Sequence, residues 1–233
     1  MLKISLPADW KVERLKDVAA INQFSLSAGT DIDYEFEYLE ISNVDYYGVV
    51  DFEAIERLRF EDAPSRARRV VTKGCTVISS VRPNLQAVAH FPGDCVDLIC
   101  STGFNVVQPY SHKLHGRFAY YVLVSEDARQ YFEAVATGVG YPAVGDKDFS
   151  SFSMPLPSLD EQERIANFLD EKCKVIDAIG SKKPIQSDGA RQVGIIDSQL
   201  ISLQAYRKSL IHECVTGKRR ITSADFSESA AHA

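Results

Sequence analysis

The sequence lacks the features that mark several common classes of protein. No run of apolar residues approaches the roughly 20 that a membrane helix needs. Lys3, Pro7, Asp9 and Lys11 interrupt the N-terminal stretch where a signal peptide would carry its apolar core. The five cysteines include no CxxC pair, which is typical of a reducing compartment rather than of a disulfide scaffold. We therefore expect a soluble, cytoplasmic protein with no membrane partner.

Positive charge is also scarce. The chain of 233 residues has 26 Lys and Arg against 32 Asp and Glu, and its formal net charge is −6. This balance argues against indiscriminate binding to nucleic acid, because the total charge does not attract phosphate. Any nucleic-acid site must therefore be a local patch.

The apolar residues follow two different periods along the chain. Up to about Met154 they form short β-branched and aromatic clusters separated by Gly, Pro, Asn and Asp, which predicts strands. One helix is expected over residues 118–135, where apolar residues repeat at three and four positions, with Gly138 as its stop. The strand-like clusters are residues 38–41, 46–50, 70–71, 76–78, 87–89 and 104–107.

A helix-start signal lies where the period changes. Ser158 can accept a hydrogen bond from an early backbone N–H, and Glu161 can reach back to the Ser158 N–H, which together form a capping box. Pro155 and Pro157 end the preceding element. A long helix is therefore expected to begin here.

Two apolar series follow Ser158, and both predict helices. The second has the spacing of a short coiled-coil seam. Between the series, Pro184, Gly189 and Gly194 are expected to kink the helix or to open a helix-loop-helix hairpin. The first series is Ile165, Phe168, Leu169, Ile176 and Ile179, and the second is Val193, Ile196, Leu200, Leu203 and Leu210.

The sequence thus predicts an α+β fold in three parts. A mixed, β-rich domain occupies residues 1–157, and a long helical coiled-coil or hairpin region occupies residues 158–218. Residues 219–233 are expected to form a disordered tail, because the last residues are small, polar and acidic.

Three segments share their order and spacing with one family. They are the segment around Trp10 with Leu15 and Val18, residues 155–170 at the junction, and residues 206–211 leading to 215–218. Together they resemble the specificity (S) subunit of type I restriction-modification systems over roughly residues 7–218. The domain before the junction is expected to vary with the DNA sequence that is read.

The resemblance implies a non-catalytic, DNA-reading role. The family's usual subunit has two target recognition domains, each followed by a conserved helix, whereas this chain holds one such unit. The resemblance therefore implies a half-size subunit. Such a subunit reads one half-site of double-stranded DNA, docks methyltransferase subunits and pairs with a second copy through the C-terminal helices. No cofactor is expected in this chain. S-adenosylmethionine, ATP and Mg are expected on the methyltransferase and restriction/translocase subunits.

Three groups of residues are candidates for DNA contact, because DNA reading needs cations for phosphates and guanidinium or amide groups for base edges. The basic group has an alternative reading, in which its members only balance nearby acidic residues. The second group lies in a polar turn at residues 79–86, whose alternative reading is an ordinary turn without DNA contact. The third lies in a glycine loop at residues 137–142, followed by Lys147, whose alternative reading is a flexible connector. The basic group is Arg57, Arg59, Arg66, Arg68, Arg69 and Lys73, the turn supplies Arg82, Asn84 and Gln86, and the loop region supplies Tyr141 and Lys147.

A further set is expected to face partner subunits or a second copy. Glu161, Gln162 and Arg164 begin the long helix and are candidates for docking, although capping alone also explains Glu161. The apolar members are Ile165, Leu169, Ile176, Ile196, Leu200, Leu203 and Leu210.

Other interpretations stay open at this point. The chain can instead be a coiled-coil adaptor whose globular domain binds protein, which its acidic charge favours, or a detached recognition domain of a fused restriction-methylation enzyme. His90, Cys95 and Cys100 lack the paired spacing of a structural zinc site, so no metal is expected and the cysteines are interpreted as free.

Overall fold

A computed structural model of the chain describes residues 6–180, 190–222 and 224–227, and for residues 180–198 it describes no side chains. The fold is α+β. Its strands are β1 (Lys11–Arg14), β2 (Ala19–Ile21), β3 (Glu35–Leu39), β4 (Glu56–Arg59), β5 (Ala67–Val70), β6 (Thr76–Ser79), β7 (Val88–His90), β8 (Leu98–Ser101), β9 (Phe104–Pro109) and β10 (Ser153–Leu156). Its α-helices are α1 (Leu15–Val18), α2 (Gly116–Leu123), α3 (Glu126–Val135), α4 (Asp146–Ser150), α5 (Leu159–Gly180), α6 (Ala190–Val215) and α7 (Ala224–Ser227).

The strands form two four-stranded sheets and one separate pair. One sheet has the order β2-β9-β6-β7 and is antiparallel, and the other has the order β4-β3-β8-β5 with β3 and β8 parallel. In the separate pair, β1 near the N-terminus runs antiparallel to β10, which precedes the long helix. This pair therefore ties the start of the chain to the junction.

The cluster at 46–50 is not a strand, contrary to the sequence prediction. The Asp45 carboxylate accepts hydrogen bonds from the backbone N–H groups of Tyr47, at 2.9 Å, and Val49, at 2.8 Å. Gly48 between them has φ +80°, which a strand does not allow. The segment therefore forms a turn that the Asp45 side chain stabilises, although its aromatic and β-branched residues favour a strand.

The single helix predicted over residues 118–135 is two helices, α2 and α3. The break falls at Ser125, whose hydroxyl accepts from the Ala128 N–H at 3.4 Å and so caps α3. Periodicity missed the break because apolar residues continue on the buried side of both helices, from Phe118 to Phe132.

The two long helices, α5 and α6, form an antiparallel hairpin. Arg207 of α6 lies 3.2 Å from the Asp177 carboxylate near the end of α5, while Arg219, just after α6, lies over the Phe168 ring. The hairpin is one of the two arrangements that the sequence predicted, but Gly194 does not interrupt the helix, because it lies within α6. Pro184 and Gly189 lie outside the described residues.

The helix-start signal at Ser158 is half confirmed. The Ser158 hydroxyl accepts from the Glu161 N–H at 3.4 Å, as a capping residue does. The Glu161 carboxylate does not complete the capping box. It accepts instead from the Trp10 indole N–H at 3.1 Å and lies 2.8 Å from Nε of Arg220. These contacts join the N-terminal segment, the start of α5 and the residues that follow α6.

The segment after α6 packs on the fold, which corrects the prediction of a disordered tail from residue 219. Arg220 forms a bidentate ion pair with Asp9, at 2.9 and 3.0 Å, and Ile221 is buried. Arg219 pairs with Asp225 of α7 at 3.2 Å. Residues 223 and 228–233 lie outside the described part of the chain.

In the described ranges, no helix combines the length with the apolar character that crossing a membrane requires.

Candidate nucleic-acid interface

Two loops that are far apart in sequence meet at one edge of the β-rich domain. Val81, just after β6, and Thr137, just after α3, both form β-bridges with Ala143. The Arg82 N–H donates to the Pro142 carbonyl at 2.8 Å. The polar turn and the glycine loop that the sequence suggested as separate DNA contacts therefore form one surface.

Arg82 and Tyr141 form the centre of this surface. The Arg82 guanidinium carbon lies 4.2 Å from the centre of the Tyr141 ring, which is a cation–π contact. Tyr141 is 71% exposed. No carboxylate lies within ion-pair distance of Arg82 among the residues that the structure describes. Its hydrogen-bonding groups therefore remain available to a ligand.

The other members of the two loops are arranged around this pair. Asn84 is exposed at the tip of a 3₁₀ turn (Pro83–Leu85), whereas the Gln86 side chain donates to the Val124 carbonyl at 3.4 Å within the chain. Lys147 is exposed on α4, just after the glycine loop.

A groove beside Val81 brings Arg66 to the same edge. Ser80, Thr102 and Gly103 line it together with Arg66. The sequence did not indicate Ser80 and Thr102 as site residues, because they come together only in the fold, where the Ser80 N–H donates to the Gly103 carbonyl in the turn between β8 and β9 at 2.8 Å.

Most of the predicted basic group is paired with carboxylates, as the alternative reading expected. Arg57 lies 3.1 Å from Glu35, Lys73 lies 3.4 Å from Asp94, and Arg66 pairs with Glu40. Arg59 contacts Asp33, Glu61 and Asp62. Each of these side chains is 46–63% exposed, so the pairs are solvated and weak.

Arg68 and Arg69 have contacts with the chain itself. The Arg68 guanidinium lies over the Phe60 ring and donates to the Ala67 carbonyl. Arg69 donates to the Phe104 carbonyl and to the Asn105 side chain, and burial lowers its pKa. Arg69 therefore stabilises the contact between β5 and β9.

Two of the three residues predicted to dock a partner at the start of α5 are buried in the chain, which corrects that prediction. Glu161 is 4% exposed and bonded to Trp10 and Arg220. Gln162 is fully buried and bonded to three backbone groups. Arg164 is exposed.

The predicted apolar partner residues whose side chains are described face mainly the interior of this chain. Most of them fill the core between α2, α5 and α6, where the hydrophobic effect favours burial without a partner. Leu200 is half-buried, and the side chain of Ile196 lies outside the described residues. Ile165, Leu169, Ile176 and Leu210 are buried, and Leu203 packs against them.

Other apolar residues are exposed on the hairpin, including Ile179, which the sequence had grouped with the buried residues of the first series. Val175 and Ile179 of α5 are 55% and 48% exposed, and Ile201 and Tyr206 of α6 are 66% and 55% exposed. Sequence periodicity did not separate this set from the buried one, because an apolar side chain gives the same signal on either face.

The residues considered for zinc do not form a metal site. No cluster of His, Cys, Asp and Glu with that capacity occurs in the described ranges. All five cysteines are free, and burial raises the pKa of Cys75 to about 12. His90 is held neutral because burial, assisted by the Arg117 charge, lowers its pKa to about 4.

Comparison with known sequences identifies one family. The family model described as the type I restriction modification DNA specificity domain matches residues 7–186. The specificity subunit of the type I restriction enzyme HindI from Haemophilus influenzae is 24% identical over 72% of this chain and 37% of that subunit. The putative type I restriction enzyme MjaX specificity subunit from Methanocaldococcus jannaschii is 22% identical over 91% of this chain and 46% of that subunit. The chain thus spans less than half the length of these curated relatives.

Solved structures agree with the sequence match. The HsdS subunit from Thermoanaerobacter tengcongensis aligns with a TM-score of 0.67 and 27% identity, over 77% of this chain and 46% of that chain. A chain from a structure that addresses complex assembly and conformational transition of the type I R-M system aligns with a TM-score of 0.69 and 27% identity, over 87% of this chain and 50% of that chain. With the family model matching most of its length, this chain belongs to the type I restriction-modification DNA specificity family.

Proposed function

We propose that this chain reads one half-site of double-stranded DNA for a type I restriction-modification complex in the cytoplasm. The observation that carries this proposal is the meeting of the Arg82 turn and the Tyr141 loop at one exposed edge. Arginine and aromatic side chains on protruding loops are suited to base edges and to the groove walls of DNA.

The acidic net charge is compatible with DNA binding at this edge. Arg66 pairs with Glu40 beside the groove, and Arg57 and Arg59 form similar exposed pairs on the same sheet. Exposed ion pairs contribute little to stability, so a phosphate can replace the carboxylate at small cost. These arginines are then local phosphate contacts on an otherwise acidic molecule.

The helical hairpin is proposed to dock the methyltransferase subunits and to pair with a second copy. For docking, the exposed Arg164, Glu163 and Asn167 on the outer side of α5 remain available, whereas Glu161 and Gln162 do not. For pairing, the exposed residues Val175, Ile179, Ile201 and Tyr206 replace the buried seam. In this arrangement the chain is non-catalytic, and S-adenosylmethionine, ATP and Mg belong to the methyltransferase and restriction/translocase subunits.

DNA binding by the complex of this chain with its methyltransferase subunits tests the proposal. We expect sequence-selective binding whose affinity falls as salt rises, because phosphate contacts release counterions. The measurement is a titration of specific and scrambled duplexes at several salt concentrations, with the methyltransferase subunits alone as control. A coiled-coil adaptor predicts neither selectivity nor salt dependence beyond that control.

A further inference from the structure

The backbone at Arg82 is held in an unusual conformation. Arg82 and Gln86 both have φ +50°, one on each side of the 3₁₀ turn Pro83–Leu85. A non-glycine residue in the left-handed region costs on the order of 1 kcal/mol and persists only where surrounding contacts hold it. Here the Arg82 N–H is bonded to Pro142, its carbonyl accepts from Leu85, and Pro83 is buried. The position from which the Arg82 side chain extends is therefore fixed.

The Arg82 side chain is held by a contact that leaves its donors unused. The guanidinium lies over the Tyr141 ring, 4.2 Å from its centre, and a cation–π contact uses none of the N–H donors. Arg57, Arg59 and Arg66 differ, because each is bonded to carboxylates. Arg82 thus presents a pre-organised pair of donors.

The loops that carry this pair are exposed to solvent. Val139 is fully exposed, Tyr141 is 71% exposed, and Leu85 at the tip of the neighbouring turn is 52% exposed. Exposed loops can enter the major groove, which is about 12 Å wide. Guanine offers there two adjacent acceptors, O6 and N7, that match the two parallel donors of arginine.

We propose that Arg82 reads a guanine in the half-site and that Tyr141 is a positioning residue that orients the Arg82 guanidinium. This inference rests on the proposed function. A phosphate also accepts two hydrogen bonds from arginine, but it does not need a fixed backbone and a stacked side chain. Base reading needs both, because a small displacement of the donors loses the match to O6 and N7.

The test uses the full chain assembled with its methyltransferase subunits. The DNA probe is a duplex with the motif that methylation sequencing of the wild-type complex defines, together with duplexes in which one guanine at a time is 7-deazaguanine, which lacks the N7 acceptor. The wild-type complex is expected to lose about tenfold in affinity at one guanine of each half-site, the size of a lost base contact. The Arg82→Gln complex binds the unmodified duplex more weakly and shows no further loss at that guanine.

Two sets of variants control this experiment. Gln already adopts the same backbone conformation at position 86, so Arg82→Gln is compatible with the fold. Arg57→Gln removes an exposed arginine that is proposed to contact phosphate, so it is expected to weaken binding to all duplexes alike and to leave the 7-deazaguanine loss unchanged. Tyr141→Phe keeps the aromatic ring and the selectivity, whereas Tyr141→Leu reduces the preference for that guanine several-fold.

The outcomes separate the inference from the proposed function. If Arg82→Gln weakens binding to specific and scrambled duplexes equally and the analogue effect persists, Arg82 contacts phosphate and the inference is wrong, while the chain still reads DNA. If the wild-type complex binds all duplexes alike, the proposed function fails together with the inference.

Discussion

Replacement of Gly217 by alanine is expected to lower the free energy of unfolding by about 3 kcal/mol. Gly217 has φ +72°, where a Cβ atom is unfavourable by about 1 kcal/mol. That atom would also lie 2.5 Å from Cγ of Pro7 and 3.3 Å from the Trp10 ring. The Pro7 atoms are part of the rigid pyrrolidine ring, and Trp10 is buried. Neither side chain can therefore move away from the added methyl group. The overlap adds about 2 kcal/mol.

Gly140→Ala is the matched control for this prediction. Gly140 has φ +84°, but no atom lies within 4 Å of the position that its Cβ would occupy. It therefore carries the conformational cost alone, about 1 kcal/mol. Urea denaturation of both variants measures the difference. Equal losses of stability would show that the C-terminal end of α6 does not pack on Pro7 and Trp10.

Gln162→Leu is expected to cost at least about 3 kcal/mol of stability. The Gln162 side chain accepts from the His115 N–H at 2.8 Å and donates to the carbonyls of Lys113 and Pro157, each at 3.0 Å. Gln162 is fully buried, so leucine leaves three backbone groups without their side-chain partner. Denaturation by urea or heat measures the loss.

Gln130→Leu serves as the control for Gln162. Gln130 lies on α3 and also donates a side-chain hydrogen bond, to Glu126, but it is exposed to solvent. Water replaces that bond, and the variant is expected to change stability by no more than about 0.5 kcal/mol. A similar effect of the two substitutions would contradict the role of Gln162 as the anchor between α5 and the loop before α2.

The sequence predicted the strands and helix starts that are determined by residues within a single short segment. Strands β6 and β9 lie in the predicted clusters at 76–78 and 104–107, and Ser158 caps α5 as its spacing indicated. The prediction failed at Tyr47, because the Asp45 carboxylate closes a turn there in spite of strand-forming side chains.

The apolar periodicity did not reveal which surface each helix packs against. The apolar series of α6 has the spacing of a coiled-coil seam, but Leu210 is buried within this chain and Leu203 packs against the same core. A helix face gives the same pattern whether it packs on its own domain or on another chain. The Arg82–Tyr141 pair was equally invisible as a contact, since β-bridges to Ala143 bring the two loops together only in the folded domain.

Methylation mapping of the host, with and without this gene, tests most directly whether the chain determines which DNA sequence is modified. One specific methylated motif is expected to disappear on deletion and to return when the wild-type gene is restored. A bipartite motif with identical, inverted halves is expected if two copies of this chain pair. A methylome that does not change on deletion would show that the chain does not determine which DNA sequence is modified.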